Sequence, residues 1–188
     1  MRGGRSSWAW MTLTAVSMLS PGGAMAQATV FAGAAAAIPL ADLGAIADLG
    51  FQGFVGGTVE VGTAGFALGA TGFFGNNPHE LAGESSDLYG ATVLAGYTIA
   101  EPYGLRARVW AGVGGMVHAL KSDTFPGLNT TQRGLTLSAG GSVSRPVGRV
   151  GVFVSGLYTR GLGDLGTSSY PTELVTLGGG VSIPLSID

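Results

Sequence analysis

Few side chains in this 188-residue sequence could do chemistry, and they fall into four groups. His118 precedes Ser122 and Asp123, which puts a base, a hydroxyl and an acid on one stretch. Nucleophilic catalysis needs the base held within hydrogen-bond reach of the hydroxyl. No motif of the lipid-modifying hydrolases accompanies these residues, and His118 reads as a histidine at the rim of its element. His79 is followed by Glu80, Glu84 and Asp87. Carboxylates suit Ca²⁺ or Mg²⁺, but the D-x-D-x-D-G spacing of a calcium loop is missing, so the group reads as a solvated acidic loop. Gly161, Gly163 and Gly166 match G-x-G-x-x-G by letters. A dinucleotide site needs that motif between a strand and a helix. Here TSSYP and a further strand pattern follow, and the segment reads as a flexible loop. The fourth group is Glu60, with Gln52 and Thr58 on its own face, and Arg106 and Arg108. Charges inside otherwise apolar segments must be paired. No catalytic, cofactor or metal site is assigned, and the chain reads as a non-enzyme.

The elements that carry these residues follow from composition. Charged residues are 11% of the chain and glycine supplies 35 positions. Soluble domains usually carry about 25% charge, and so few charges would struggle to cover a wet surface. There is no G-X-Y period, which excludes collagen. Cysteine is absent, which excludes a disulfide framework. Net charge is −2, with none of the basic footprint of a nucleic-acid binder.

Met1–Ser7 carries Arg2 and Arg5 and no acid; Trp8–Leu19 is apolar; Ala24-Met25-Ala26 is a small-x-small site before Gln27. These are the three parts of a secretory signal. The apolar run is shorter than the roughly 20 residues that span a bilayer. The expected organisation is a signal peptide over 1–26 and one domain over 27–188. The domain has no later uninterrupted apolar stretch of spanning length. If it crosses a membrane it must do so as a closed barrel, the other structure that pairs every backbone group in lipid.

Period-two alternation marks strands, predicted at 28–38, 49–61, 64–75, 88–99, 104–120, 133–145, 149–160 and 173–185. In 133–145, Leu135, Leu137, Ala139, Gly141 and Val143 share one face, while Thr136, Ser138, Gly140, Ser142 and Ser144 share the other. In 104–120 the polar face carries Arg106, Arg108 and His118. With that face inward, Glu60 can pair with an arginine inside the barrel. Phe66 and Phe74 share a face, as do Tyr89 and Tyr97. Each pair spans roughly 26 Å along its strand, which suits aromatic girdles at the two edges of an apolar band.

The connections give the topology. Segments 39–48, 76–87, 121–132 and 161–172 read as long, and those near 62–63, 100–103 and 146–148 as short. Long connections on one rim and short turns on the other are the pattern of an up-and-down barrel in an outer membrane. Pro39, Pro78, Pro102, Pro126, Pro146 and Pro171 are placed in connections, because proline cannot donate to a ladder. Pro184 is the exception, near the end of the last strand.

With leader, strand count, alternation, loop parity and glycine-rich strands such as GVGGMV and LGGGVSIPL, Gln27 to about Leu185 resembles the small eight-stranded outer-membrane barrels, the OmpA- and OmpX-like group. One departure is the end SIPLSID, which lacks the terminal aromatic such barrels commonly offer to the assembly machinery. The resemblance implies an all-β, eight-stranded antiparallel up-and-down transmembrane barrel in the bacterial outer membrane. Its implied partners are outer-membrane lipid, lipopolysaccharide and the assembly machinery, and its implied state is monomeric. The function expected is a structural or surface-interaction role through the extracellular loops. The alternatives are a narrow channel for small solutes or a soluble ligand-binding barrel.

Overall fold

The computed structural model describes residues 27–62, 64–81, 83–162 and 172–185. Eight antiparallel strands follow one another in chain order and close into a barrel. They are β1 (Ala28–Leu40), β2 (Gly50–Val61), β3 (Phe66–Pro78), β4 (Glu84–Ala100), β5 (Arg106–Ser122), β6 (Thr130–Val147), β7 (Val150–Leu162) and β8 (Glu173–Leu185). Pairing of β1 with β8, from Ala28↔Leu185 to Leu40↔Glu173, closes the ring. The leader with Ala24 and Ala26, and Gly163 and Gly166 of the glycine motif, lie outside the described residues; Gln27 stands directly before β1. No helix among the described residues is long and apolar enough to cross a membrane.

The first, third, fifth and seventh connections share one rim, the loop end. The second, fourth and sixth share the other, the turn end. Glycines with positive φ at Gly62, Gly65 and Gly148 make the tight turns there. The helix α1 (Ala41–Gly44) lies in the first connection and buries Leu43.

The strands run further toward the loop end than composition suggested. The third connection is not a long loop: β3 continues to Pro78, and β4 begins at Glu84. Polar residues that read as loop are part of the ladder there. Asn76 donates to Asp87 Oδ1 across strands (2.7 Å), and Asn77 donates to the Ala37 and Asp48 carbonyls (2.9 Å each).

Three prolines assigned to connections also lie in strands: Pro39 in β1, Pro78 in β3 and Pro146 in β6. Each sits where its strand has one neighbour. Pro39 pairs with Leu174, after β1–β2 pairing has ended at Ala37. Pro78 pairs with Ser85, past the last β2–β3 pair at Asn76. Pro146 pairs with Gly151, past the last β5–β6 pair at Ser144. Pro184 follows the same rule against Thr29 alone. A missing N–H is tolerated on a half-open edge.

Side chains alternate between barrel interior and outer wall. Among the described residues the outward-facing charges are confined to the ends. Asp87, Lys121, Arg133, Arg160 and Glu173 lie toward the loop end, and Arg145 toward the turn end. Between them the wall exposes apolar residues, among them Val55, Val93, Val113, Leu135, Val154 and Leu177.

Candidate functional site

The middle of the interior is aromatic. Phe31, Phe54 and Phe153 meet with ring centroids 6.0 to 6.4 Å apart, and the Phe31–Phe153 contact is edge to face. Such pairs add about 0.5–1.5 kcal/mol beyond area burial. The register explains how they fit. Phe54 lies opposite Gly33, Phe31 opposite Gly56, Phe153 opposite Gly180, Phe73 opposite Gly90 and Trp110 opposite Gly96. A Cβ at any of these glycines would come within 2.3–2.9 Å of the facing ring. These five glycines are sockets for aromatic rings from the next strand. The face of Thr136, Ser138, Gly140, Ser142 and Ser144 carries small residues, and phenylalanines from other strands fill part of the space they leave.

Toward the turn end lies the charged group. Arg106 Nη1 donates to Glu60 Oε1 at 2.6 Å, and Arg108 Nη2 donates to the same oxygen at 2.9 Å. Arg108 Nε also donates to Thr98 Oγ1 (3.1 Å), and its guanidinium lies 5.3 Å from the centroid of the Trp110 ring. The Trp110 indole donates to Ser142 Oγ at 2.9 Å. Arg106 Nε in addition bonds Glu101. Two cations and two anions thus neutralise one another. The structure brings Glu60, Arg106 and Arg108 together. Thr58 lines the same cavity, and Gln52 sits buried on the far side of Phe54 and Gly56 from Glu60. Glu101, Thr98, Trp110 and Ser142 are members that sequence reasoning missed. Glu101 read as a turn residue, and the others gave no signal beyond their inward face. The interior cavity, about 220 Å³, is lined by this network, by Phe31, Phe54 and Phe153, and beyond them by Gln52, Met116 and Leu174.

The loop end holds a second polar cluster. His79 and His118 are both buried, and each presents Nε2 to the hydroxyl of fully buried Ser86, at 2.9 and 2.8 Å. His79 is therefore not in a solvated loop. It lies just past β3, bridged to Ala47, with its Nδ1 3.6 Å from Glu84 Oε2. Glu84 and Asp87 belong to β4. His118 points inward rather than standing at the rim, and its partner is Ser86, not Ser122. The Ser122 hydroxyl donates to Glu84 Oε1 (3.3 Å) and accepts from the Phe125 N–H (3.0 Å). The two histidines converge because the mouth of the barrel brings β3, β4 and β5 side by side, which no local spacing could show.

The four outward aromatics form two cross-strand pairs, Phe66↔Tyr97 toward the turn end and Phe74↔Tyr89 toward the loop end. All four are exposed on the wall, and the Phe66 and Tyr97 centroids are 4.9 Å apart.

No family model matches the chain, and no curated protein matches its sequence. Solved structures match its shape. The neisserial surface protein A has a TM-score of 0.63 and 17% identity over 83% of this chain and 96% of its own. The attachment invasion locus protein Ail of Yersinia pestis has a TM-score of 0.52 and 15% identity over 85% and 100%. The N-terminal β-barrel domain of Pseudomonas aeruginosa OprF has a TM-score of 0.50 and 16% identity over 85% and 97%. The chain has the fold of the small eight-stranded outer-membrane β-barrels.

Proposed function

We propose that this protein is a bacterial outer-membrane barrel whose work is done by its loop end, as a non-enzymatic surface-interaction module. The observation that carries the reading is the narrowed interior. Phe31, Phe54 and Phe153, from β1, β2 and β7, crowd the middle from one side, and Glu60 on β2 reaches Arg106 and Arg108 on β5 across the turn end. Eight strands leave an interior that side chains can fill, so what remains for a partner is the outside. The charge-free apolar wall supports a lipid setting, because Arg or Lys near the midplane costs about 2–4 kcal/mol. Phe66 with Tyr97, and Phe74 with Tyr89, serve as the two interfacial girdles. The ring of strands has no open edge for pairing with another copy, which favours a monomer. The chain is made as a precursor cleaved before Gln27, and it reaches its site through the assembly machinery.

Charge at the loop end indicates the kind of partner. Asp42, Asp48, Glu80, Glu84, Asp87, Asp123 and Glu173 face three cations there, Lys121, Arg133 and Arg160, among the described residues. Lys121 is already bonded to Asp87, and Arg160 to Glu173 at 3.3 Å. Ail has been solved with the heparin analogue sucrose octasulfate. The acidic loop end of this chain suits a basic surface instead. Lipopolysaccharide is met by the wall just below, where Arg133 faces outward.

The test is adhesion of cells with and without the protein to polylysine-coated and heparin-coated surfaces. Gain on polylysine alone supports the reading; gain on heparin alone, or none, counts against it. The cavity favours a second reading, a narrow solute channel. In a planar bilayer the purified barrel is expected to show no unit conductance, and regular conductance steps would promote the channel.

A further inference from the structure

We propose that His79, Ser86 and His118 form a proton-sensitive latch that holds the loop end of the barrel shut. The hydrogen bonds at Ser86 allow two proton orders, and the carboxylate of Glu84 selects between them. A serine hydroxyl donates once and accepts twice, and a neutral imidazole donates from one nitrogen and accepts at the other. The Glu84 carboxylate, 3.6 Å from His79 Nδ1, favours a proton on that nitrogen, leaving His79 Nε2 to accept from the Ser86 O–H. Ser86 Oγ is then free to accept from His118 Nε2–H. His118 Nδ1 accepts in turn from the Thr172 hydroxyl at 3.4 Å. The hydrogen-bonded chain Thr172→His118→Ser86→His79 ends at His79 Nδ1, which faces the Glu84 carboxylate.

His79, Ser86 and His118 stand on neighbouring elements, and the Thr172 contact carries the latch across the barrel mouth. Thr172 leads into β8, while His118 is on β5 and Ser86 on β4. His79 also carries the bridge to Ala47, and the Asp48 N–H bonds the Pro78 carbonyl at 2.7 Å, so the first connection hangs on the same point.

Histidine changes charge between pH 5 and 8. A proton on His79 Nε2 removes the acceptor of the Ser86 O–H, inside a site where Ser86 has no exposure to water. A second proton sets two imidazolium rings on either side of one hydroxyl. The charged groups on the surrounding elements are Asp42 and Asp48 in the first connection and Glu80 after β3. Glu84 and Asp87 follow on β4, with Lys121 on β5, Asp123 after β5 and Glu173 at the start of β8. Asp87 is occupied by Lys121 and Asn76, and Glu173 by Arg160 and Tyr158. Glu84 is the acid in contact with an imidazole. A proton on either ring therefore breaks the order that ties Thr172 and the first connection to the mouth.

The sequence has two histidines, so imidazole ¹⁵N NMR of the full barrel in micelles, with His79→Gln for assignment, reads each one. At pH 8 His79 is expected as the Nδ1–H tautomer and His118 as the Nε2–H tautomer; one shared tautomer overturns the proton order. Amide exchange at pH 8 and pH 5, scaled for intrinsic rates, follows the latch. The amides of Ser86, Leu88, His118 and Leu120 are expected to exchange at least tenfold faster at pH 5, with those near Glu60 and Arg106 unchanged. In His79→Gln/His118→Gln the step should vanish. No step in the wild type, or the same step in the double variant, overturns the latch. Should that variant not fold, Ser86→Ala keeps both rings and removes the hydroxyl they share, so the step must vanish there too, and an unchanged step is equally fatal.

Discussion

Removing the carboxylate of Glu60 has a cost that the network geometry sets. Both arginines share its Oε1, but they are left in different positions. Arg106 is about 40% exposed and keeps Glu101. Arg108 is about 10% exposed and keeps the Thr98 hydroxyl and the face of Trp110, neither of which carries charge. Breaking a buried pair by removing one partner costs about 3–5 kcal/mol, and exposed pairs are worth about 0–1 kcal/mol. With Glu60 itself 29% exposed, Glu60→Ala is expected to destabilise by about 2–3 kcal/mol. Arg106→Met should cost less than about 1 kcal/mol. In Arg108→Met, Glu60 keeps Arg106 as its partner, so the expected cost lies between the two. The assay is urea unfolding of the barrel from lipid vesicles, followed by Trp110, which is the one tryptophan outside the expected leader. In the double variant Glu60→Ala/Arg108→Met the second change should add little, because the orphaned cation is gone. Three single variants within about 0.5 kcal/mol of the wild type would refute the network as a support of the turn end.

Other expectations follow from the wall and the waist. Gly56→Leu puts a side chain where the Phe31 ring lies, and refolding yield in vesicles should fall sharply, while Gly57→Leu on the outer wall is tolerated. Val113→Arg, in the charge-free belt, should cost about 2–4 kcal/mol in vesicle-based unfolding, and Ala119→Arg, on the same outer face beside Asp87 and outside that belt, should cost less. Phe31→Ala/Phe54→Ala/Phe153→Ala removes the rings that meet in the middle, and regular conductance steps in a planar bilayer are expected from it and not from the wild type. Brominated acyl chains should leave Trp110 emission nearly unquenched, because the indole is inside and bonded to Ser142, yet quench a tryptophan placed at Val93 in a Trp110→Phe background.

The strands were legible because alternation is a local signal, and the inward assignment of Glu60, Arg106 and Arg108 followed from the cost of charge on an apolar wall. Strand ends were less legible. Asn76, Asn77, Ser85 and Ser86 have loop composition but pair across β3 and β4. The aromatic middle was not legible, because Phe31 opposite Gly56 and Phe54 opposite Gly33 are facts of register. Gln52, Phe54, Gly56, Thr58 and Glu60 alternate along one face, and the ring beside glycines on that face was the one local sign. The meeting of His79 and His118 at Ser86 depends on barrel closure and on strands that outrun their expected ends, so spacing pointed to Ser122 instead.

The central claim is a closed barrel in the outer membrane, and its most direct test is gel mobility of the fractionated cell envelope, unboiled against boiled. A barrel with every strand edge paired resists SDS until heated. The account predicts a band in the outer-membrane fraction that migrates differently before boiling. A band in the soluble periplasmic fraction that does not shift would contradict it.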